Sequence, residues 1–258
     1  MNRTASCAAV LAALIFTVPS PAHAAPSMRD VLRAVYAVHD LKHVSLSPDG
    51  SAVVWEESSH PGSDPSTSAP HSVVYLQSSA QAAAVRVQSA GANDEQTEPS
   101  FSPNGAKIAY FSSAPKGPTR LNTIDAHGAS LLPVATFTGN VQGLKWSPDG
   151  RSIAVLYIVH PHRKAGALAP GARDVGVVGS TIDEQQLAVV DVASGAISVL
   201  TPSDVYVYEY GWAPDSKHLA FTYARGDGDN NWWIAKLATV DTQSKRMRAL
   251  YKPPAQIN

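Results

Sequence analysis

Short apolar stretches recur along the chain, and each follows a compact polar turn. The apolar stretches are residues 52–55, 107–110, 152–155 and 218–221. The residues just before them form one six-residue motif in four copies: SLSPDG (45–50), SFSPNG (100–105), KWSPDG (145–150) and GWAPDS (211–216). The chain is therefore built from an internal repeat, and a repeat of this kind decides the architecture.

The turn chemistry of the motif predicts a β-hairpin. Proline presets φ at the first turn position, and Asp-Gly or Asn-Gly tolerates the positive φ required later in the turn. One strand enters each turn and another leaves it. We expect the apolar residue two positions before each proline to pack between neighbouring sheets. These residues are Leu46, Phe101, Trp146 and Trp212.

A second hairpin follows in each repeat, which gives four strands per unit. Its predicted strands are residues 73–76 with 84–87, residues 121–125 with a partner after Gly128, residues 187–191 with 196–200, and residues 238–241 with 247–251. In the third unit, Gly195 suits a left-handed turn position and Asp191 can accept bonds from the turn backbone.

Four-stranded units repeated in this way predict an all-β fold, a β-propeller with about four blades. The turn prolines are separated by 55, 45 and 66 residues, which is longer than the roughly 40–50 residues of common blades. Loop insertions at residues 58–71 and 161–180 account for the excess. The alternative is a β-sandwich whose turns are similar by coincidence.

The N-terminus has the features of an export signal. Arg3 supplies a positive start, residues 8–18 are apolar, and Ala22-His23-Ala24 has the small-x-small pattern of a signal peptidase site. Residues 1–24 are predicted to be a signal peptide, so we expect a secreted, periplasmic protein. A membrane anchor is the alternative, but the apolar run is about half of the roughly 20 residues that a spanning helix needs.

The segment after the leader predicts a short helix. Residues 27–30 resemble a capping box, and Val31, Leu32 and Val35 follow on one helical face. We therefore divide the chain into residues 1–24 (signal peptide), 25–43 (lead-in helix and linker) and 44–258 (blades 1–4).

Composition favours no charged partner and no bound cofactor. The net charge is −1, so neither nucleic acid nor an anionic membrane is indicated as a partner. The single cysteine, Cys7, lies in the leader, which excludes disulfides and thiolate chemistry from the exported chain. His160 and His162 flank Pro161 with no adjacent acid, so we predict a solvated loop and no metal there.

Two segments indicate a specific kind of propeller. Residues 205–215 (VYVYEYGWAPD) and 226–235 (GDGDNNWWIA) resemble the N-terminal propellers of secreted bacterial serine peptidases of the S9 (prolyl oligopeptidase) family, while the turn motif also resembles TolB-like propellers. The resemblance spans essentially all of the chain after the leader. It implies a propeller that covers a C-terminal α/β-hydrolase domain and restricts entry to short or unfolded peptides.

The chain departs from that family in one respect. It contains no Gly-x-Ser-x-Gly nucleophile elbow, and four blades consume all of the residues after the leader. The resemblance therefore implies an incomplete propeller of a seven- or eight-bladed parent, without the hydrolase domain and without catalytic residues. We expect the propeller to bind short peptides only when a hydrolase domain is joined to it.

Four residues are candidates for substrate binding. Glu209, between Tyr208 and Tyr210, resembles the propeller acids with which dipeptidyl peptidases hold a substrate ammonium group. The family's glutamate pair is absent, and a solvent-facing strand carboxylate is the simpler interpretation. Trp232 and Trp233 could form an aromatic wall. Because adjacent strand residues point to opposite faces, we expect one tryptophan in the core and the other on the surface.

Two functions follow from these observations. The first is a non-catalytic, substrate-gating propeller region of an exported serine peptidase. The second is a stand-alone TolB-like periplasmic propeller that serves as a protein-interaction scaffold, which predicts a closed monomer because closure removes sheet edges.

Overall fold

The chain folds into four four-stranded antiparallel sheets preceded by one short helix. The computed structural model describes residues 26–60, 69–161, 183–226 and 231–254. The predicted signal peptide and most of the two predicted loop insertions lie outside the described residues. Each sheet is a meander of consecutive strands, so the predicted all-β blade architecture is confirmed.

The strands follow the predicted hairpins closely. The helix α1 spans Met28–Tyr36. The first sheet contains β1 (Asp40–Leu46), β2 (Val53–Ser59), β3 (His71–Gln77) and β4 (Val85–Arg86). The second contains β5 (Glu95–Phe101), β6 (Lys107–Ser113), β7 (Thr119–Asp125) and β8 (Leu132–Phe137). The third contains β9 (Asn140–Trp146), β10 (Ser152–Ile158), β11 (Gln186–Asp191) and β12 (Ile197–Val199). The fourth contains β13 (Val205–Trp212), β14 (His218–Arg225), β15 (Lys236–Asp241) and β16 (Met247–Tyr251).

The lead-in helix forms where the sequence predicts it. Ser27 is the N-cap, and the N–H of Asp30 donates to its hydroxyl over 3.2 Å while the Asp30 carboxylate accepts from the Ser27 N–H over 3.3 Å. No residue of α1 is buried. The first strand begins at Asp40, inside the segment predicted as linker, because Asp40 and Leu41 pair with Ser58 and Glu57 of β2.

The four sheets pack in a series, each on the next, through three apolar cores. The first core lies between sheets one and two, the second between sheets two and three, and the third between sheets three and four. Their fully buried members include Val54, Leu76, Ile108 and Ile124 in the first; Phe137, Ile153 and Ala188 in the second; Leu187, Leu219 and Val240 in the third.

The second strand of each sheet shows which faces are covered. In β6 and β10, five consecutive residues are buried, as expected for sheets packed on both faces. In β2 and β14, burial largely alternates along the strand. Sheets one and four are therefore packed on one face each.

This arrangement corrects one prediction. Phe101 and Trp146 are buried between sheets and Trp212 packs against the third core, but Leu46 is 65 % exposed. Leu46 occupies the corresponding position of the first sheet, whose matching face has no sheet before it in the described chain.

The tryptophans of the turn motif also tie neighbouring sheets by hydrogen bonds. The indole N–H of Trp146 donates to the carbonyl of Ser100 over 3.1 Å, and that of Trp212 donates to the carbonyl of Lys145 over 3.0 Å. Each acceptor lies three residues before the turn proline of the preceding sheet. In the third and fourth sheets the motif tryptophan thus supplies both apolar contact area and an inter-sheet hydrogen bond.

Three of the four turns are held by a serine and an acid or amide. In the first turn, the Ser47 hydroxyl donates to Asp49 over 2.6 Å and accepts from the Ala52 N–H over 2.9 Å, while the Gly50 N–H donates to the Ser47 carbonyl. Gly50 has a φ of 73°, in the left-handed region that glycine adopts without strain. The second and third turns repeat these contacts.

Removing the serine hydroxyl of the first turn is expected to change the titration of its aspartate. The Ser47 hydroxyl, followed by the Ser51 N–H, lowers the pKa of Asp49 from 3.8 to about 2. A carboxyl whose folded pKa lies below its unfolded value stabilises the fold above pH 4, and that contribution is lost as the pH falls toward 2. In Ser47→Ala we expect the Asp49 pKa to rise toward 3.8, as measured by NMR titration of the carboxyl carbons.

Asp215 in the fourth turn is the internal control for that titration. Its pKa is also lowered to about 2, but chiefly by the backbone N–H of Lys217, and alanine stands at position 213 where the other turns have serine. The Asp215 pKa should stay unchanged in Ser47→Ala. An unshifted Asp49 in the variant would show that the hydroxyl bond does not set its pKa.

Candidate functional site

The first strands of the sheets carry irregularities at one fixed position. The residues five positions before the turn prolines are His43, Glu98, Gly143 and Glu209. The ladders of β1, β5 and β9 shift register here, and His43, Glu98 and Gly143 have φ values of 46°, 51° and 76°. In β13 the shift lies between Val207 and Glu209. Bulges of this kind redirect side chains and occur beside functional sites.

Carboxylates hold two of these bulges in place. The Glu98 Oε2 atom accepts from the backbone N–H groups of Gly143, over 2.6 Å, and of Leu144, over 2.9 Å. The carboxylate of Glu56, which is 4 % exposed, accepts from the Glu98 N–H over 3.1 Å and lies 2.9 Å from His43 Nδ1. A continuous polar network therefore links the first three sheets along their first strands. We call this network the carboxylate relay.

A lysine and a tyrosine continue the contacts to the fourth sheet. The Lys145 ammonium donates to the Tyr210 carbonyl over 2.6 Å and lies 4.8 Å from the centre of the Tyr210 ring. The Tyr210 hydroxyl lies within hydrogen-bonding reach of the carbonyls of Gly143 and Ala154, which share its one proton. Burial, with the charge of Glu98, raises the pKa of Tyr210 well above its usual value, so the hydroxyl remains a donor.

Two adjoining cavities follow this line of first strands. Each has a volume of about 460 Å³, within the range of small-molecule sites. Both are lined by Gly143, Lys145 and Leu156. The first extends to Tyr208 and Glu209, and the second to His43 and Glu98. We call the two cavities together the first-strand groove.

The structure brings two of the four predicted site residues into this groove. Tyr208 is half-buried and Glu209 is exposed, and both line the first cavity. The Tyr208 ring packs beside that of Tyr206, with 5.1 Å between centres. Glu209 pairs with Thr222 in the ladder between β13 and β14, so Glu209 is a strand residue that lines the groove. Its role in binding stays a prediction.

The prediction for the two tryptophans was wrong in its geometry. Trp232–Ile234 form a 3₁₀ helix, closed by bonds from the Ile234 N–H to the Asn231 carbonyl and from the Ala235 N–H to the Trp232 carbonyl. The strand alternation assumed for them therefore does not apply. Trp232 is 56 % exposed and Trp233 is half-buried, so neither is a core residue. Neither lines the first-strand groove.

Sequence reasoning missed the groups that shape the groove. These are His43, Glu56, Glu98 and Lys145. The signal available in the sequence was position relative to the turn prolines. His43 and Glu98 lie five residues before a turn proline, and Lys145 lies three residues before one. Glu56 lies on β2 and has no such mark.

Within the four described ranges, no group of three or more His, Cys, Asp or Glu side chains could hold a metal ion. His162 of the predicted loop pair lies outside the described residues. In the part of the chain that the structure describes, no helix is long and apolar enough to cross a membrane.

Comparison with known proteins gives matches to solved structures alone. No family model and no curated protein matches the chain. The acylaminoacyl peptidase of Pyrococcus horikoshii is 11 % identical, with a TM-score of 0.59 over 86 % of this chain and 34 % of that one. The β-propeller domain of the Trilobed protease from Pyrococcus furiosus is 12 % identical, with a TM-score of 0.53 over 85 % and 58 %.

A third match is TolB from Acinetobacter baumannii, which is 17 % identical, with a TM-score of 0.50 over 84 % of this chain and 45 % of that one. The chain thus spans between about a third and three-fifths of the length of these three structures. At such low identity the likeness concerns the fold. The chain is a propeller-type protein that resembles the propellers of TolB and of prolyl oligopeptidase-family peptidases.

Proposed function

We propose that the four sheets are a substrate-gating propeller region of an exported serine peptidase of the prolyl oligopeptidase family. The observation that carries this proposal is the first-strand groove, which combines an exposed carboxylate, Glu209, with the aromatic ring of Tyr208. In a propeller, the blades surround a central channel. A peptide that passes through the propeller must travel along this channel.

The chemistry of the groove suits the free N-terminus of a short peptide. An exposed carboxylate can form charge-assisted bonds with an ammonium group, and the neighbouring ring offers apolar contact to the first side chain. The structural likeness to solved peptidases, among them a Porphyromonas gingivalis dipeptidyl peptidase with a TM-score of 0.53, also supports a peptide as the ligand. The chain contains no Gly-x-Ser-x-Gly elbow, so hydrolysis would be performed by a separate domain.

Peptide binding tests the proposal. By calorimetry, we expect a tripeptide with a free N-terminus to bind more tightly than its N-acetylated form. Glu209→Gln should weaken binding of the free tripeptide about tenfold, the loss of one charge-assisted bond worth about 1.4 kcal/mol, and leave the acetylated form unchanged. Asp204→Asn removes the same charge from an exposed carboxylate that immediately precedes β13 and lies outside the groove lining, and it should leave both affinities unchanged.

Two outcomes would contradict the proposal. One is equal binding of the free and the acetylated tripeptide, which would remove the role of Glu209. The other is turnover of peptide p-nitroanilides by the purified chain that serine reagents abolish, because the proposed region is not catalytic by itself.

A TolB-like interaction scaffold is the second candidate function. It is supported by the TolB match and by the turn motif. As a stand-alone four-bladed ring it would need a fourth inter-sheet core, and Leu46 and Ala220, which would lie in that core, are both exposed. This exposure makes us prefer the gating function.

A further inference from the structure

The second cavity of the first-strand groove lies among the first strands of sheets one to three. Its described lining comes from β1, β5, β9 and β10. These three sheets pack on one another through the first and second cores, which hold the strands in their places. The arrangement of this lining therefore rests on the packing of the described sheets themselves and not on a sheet beyond the four.

Lys145 lines both cavities of the groove and is an exposed residue of β9. The Tyr210 carbonyl accepts from its ammonium group over 2.6 Å, and the centre of the Tyr210 ring lies 4.8 Å from the same nitrogen. An ammonium group has three N–H donors, so the bond to this carbonyl leaves two of them for a ligand. The fourth sheet thus holds a positive charge in a fixed place at the groove.

The other polar groups of the second cavity are compatible with an anion beside Lys145. The Ser45 hydroxyl accepts from the Phe101 N–H over 3.2 Å, which leaves its own proton to donate. The Glu98 carboxylate carries a negative charge, but two backbone N–H groups of β9 already bind it. His43 also lines the cavity, and its Nδ1 atom lies 2.9 Å from Glu56.

The charge of Lys145 is opposite to that of Glu209, which lines the first cavity. Tyr210, whose carbonyl binds the lysine, follows Glu209 directly on β13. The ammonium group binds this backbone carbonyl rather than the Glu209 carboxylate, so both charges are available to a ligand. One groove therefore presents a carboxylate and an ammonium group on the first strands of adjoining sheets.

We infer that Lys145 binds the C-terminal carboxylate of the short peptide whose N-terminal ammonium group binds Glu209. This inference rests on the proposed gating function and adds a second recognition point to it. The lysine ammonium forms charge-assisted bonds with the peptide carboxylate, and the Ser45 hydroxyl supplies a further donor in the same cavity. The groove thus selects a peptide by both of its free ends, and the two opposite charges fix its direction.

Recognition of both ends makes binding depend on the length of the peptide. An extended peptide spans at most about 3.3–3.6 Å per residue, so a tripeptide is about 10 Å long and a hexapeptide about 20 Å. Lys145 bonds to the residue next to Glu209, so a ligand that joins the two charged groups is short. C-terminal amidation should weaken binding of a tripeptide and leave binding of a hexapeptide unchanged.

Calorimetry with end-modified peptides tests the inference. We expect a tripeptide amide to bind the unmodified protein about tenfold more weakly than the free acid, the effect of losing one charge-assisted bond. Lys145→Met removes the charge and should weaken binding of the free acid about tenfold while leaving the amide unchanged. Lys145→Arg keeps the charge and should retain the preference for the free acid. Circular dichroism checks that both variants fold.

Lys107→Met is the matched control. Lys107 is an exposed lysine at the start of β6 and lines neither cavity, so its replacement should leave the preference for the free acid unchanged. Loss of the preference in this variant would overturn the inference, because it would show an effect of overall charge in place of a site.

The two ends of the peptide separate this inference from the proposed function. N-acetylation reports on Glu209 and C-terminal amidation on Lys145, and both comparisons use the unmodified protein. A protein that discriminates against the acetylated tripeptide but binds the acid and the amide equally would overturn the inference and leave the gating function standing. A hexapeptide as sensitive to amidation as the tripeptide, or a Lys145→Met protein that keeps the preference for the acid, would also overturn it. Absence of all peptide binding would overturn both.

Discussion

Replacing Phe137 by alanine should lower the free energy of unfolding by about 3–5 kcal/mol, the usual cost of deleting a buried phenyl ring. Phe137 is fully buried in the core between sheets two and three. Its ring packs edge-on against those of Phe111, at 6.1 Å, and Tyr157, at 5.1 Å. The substitution therefore removes apolar area, opens a cavity and breaks two aromatic contacts.

Urea denaturation measured by circular dichroism tests this expectation, and Leu132→Ala is the control. Leu132 lies on the same strand, β8, but is 52 % exposed, so its truncation should cost less than about 1 kcal/mol. A Phe137→Ala protein that unfolds at the same urea concentration as the control would show that the second core does not hold these two sheets together.

Replacing Glu98 by alanine should lower the free energy of unfolding by about 2–3 kcal/mol. The carboxylate satisfies the N–H groups of Gly143 and Leu144 in the next sheet, and hydrogen bonds to charged groups contribute about 1.5–3 kcal/mol each, less where water can replace them. Glu98→Gln keeps an oxygen acceptor at the same place and should lose less than half as much. Thermal and urea unfolding of the three proteins measure these differences.

The matched control for Glu98 stands at the same offset in the fourth sheet. Glu209 also lies five residues before a turn proline, but it is exposed. Glu209→Ala should therefore change stability by less than about 0.5 kcal/mol. Equal losses in Glu98→Ala and Glu209→Ala would show that the carboxylate relay contributes nothing specific.

The hairpins were predictable because their chemistry is local. Proline, aspartate and glycine at adjacent positions determine the turn, and Ser27 with Asp30 determines the start of α1. The predicted second hairpins are likewise confirmed, since each combines an apolar stretch with turn residues. The repeat then predicted blades in series without any knowledge of distant contacts.

The bulges and the carboxylate relay were not predictable because they depend on distant residues. His43 and Glu98 have positive φ values, which non-glycine residues seldom adopt, and contacts with other strands maintain this conformation. The Glu98 carboxylate accepts from Gly143 and Leu144, which lie 45 and 46 positions further along the chain. Trp232 and Trp233 were misassigned because two turn bonds close a 3₁₀ helix where alternation was assumed.

The tryptophan ties between sheets have a consequence for how such a chain can change in evolution. Trp146 and Trp212 donate to backbone carbonyls, so the acceptor is present whatever side chain stands at position 100 or 145. Substituting the side chain at position 100 or 145 leaves the carbonyl acceptor in place, so at these two contacts the donor tryptophan is the constrained residue. The sequence around such a bond is therefore free to change as long as the tryptophan and the backbone path of the preceding sheet are kept.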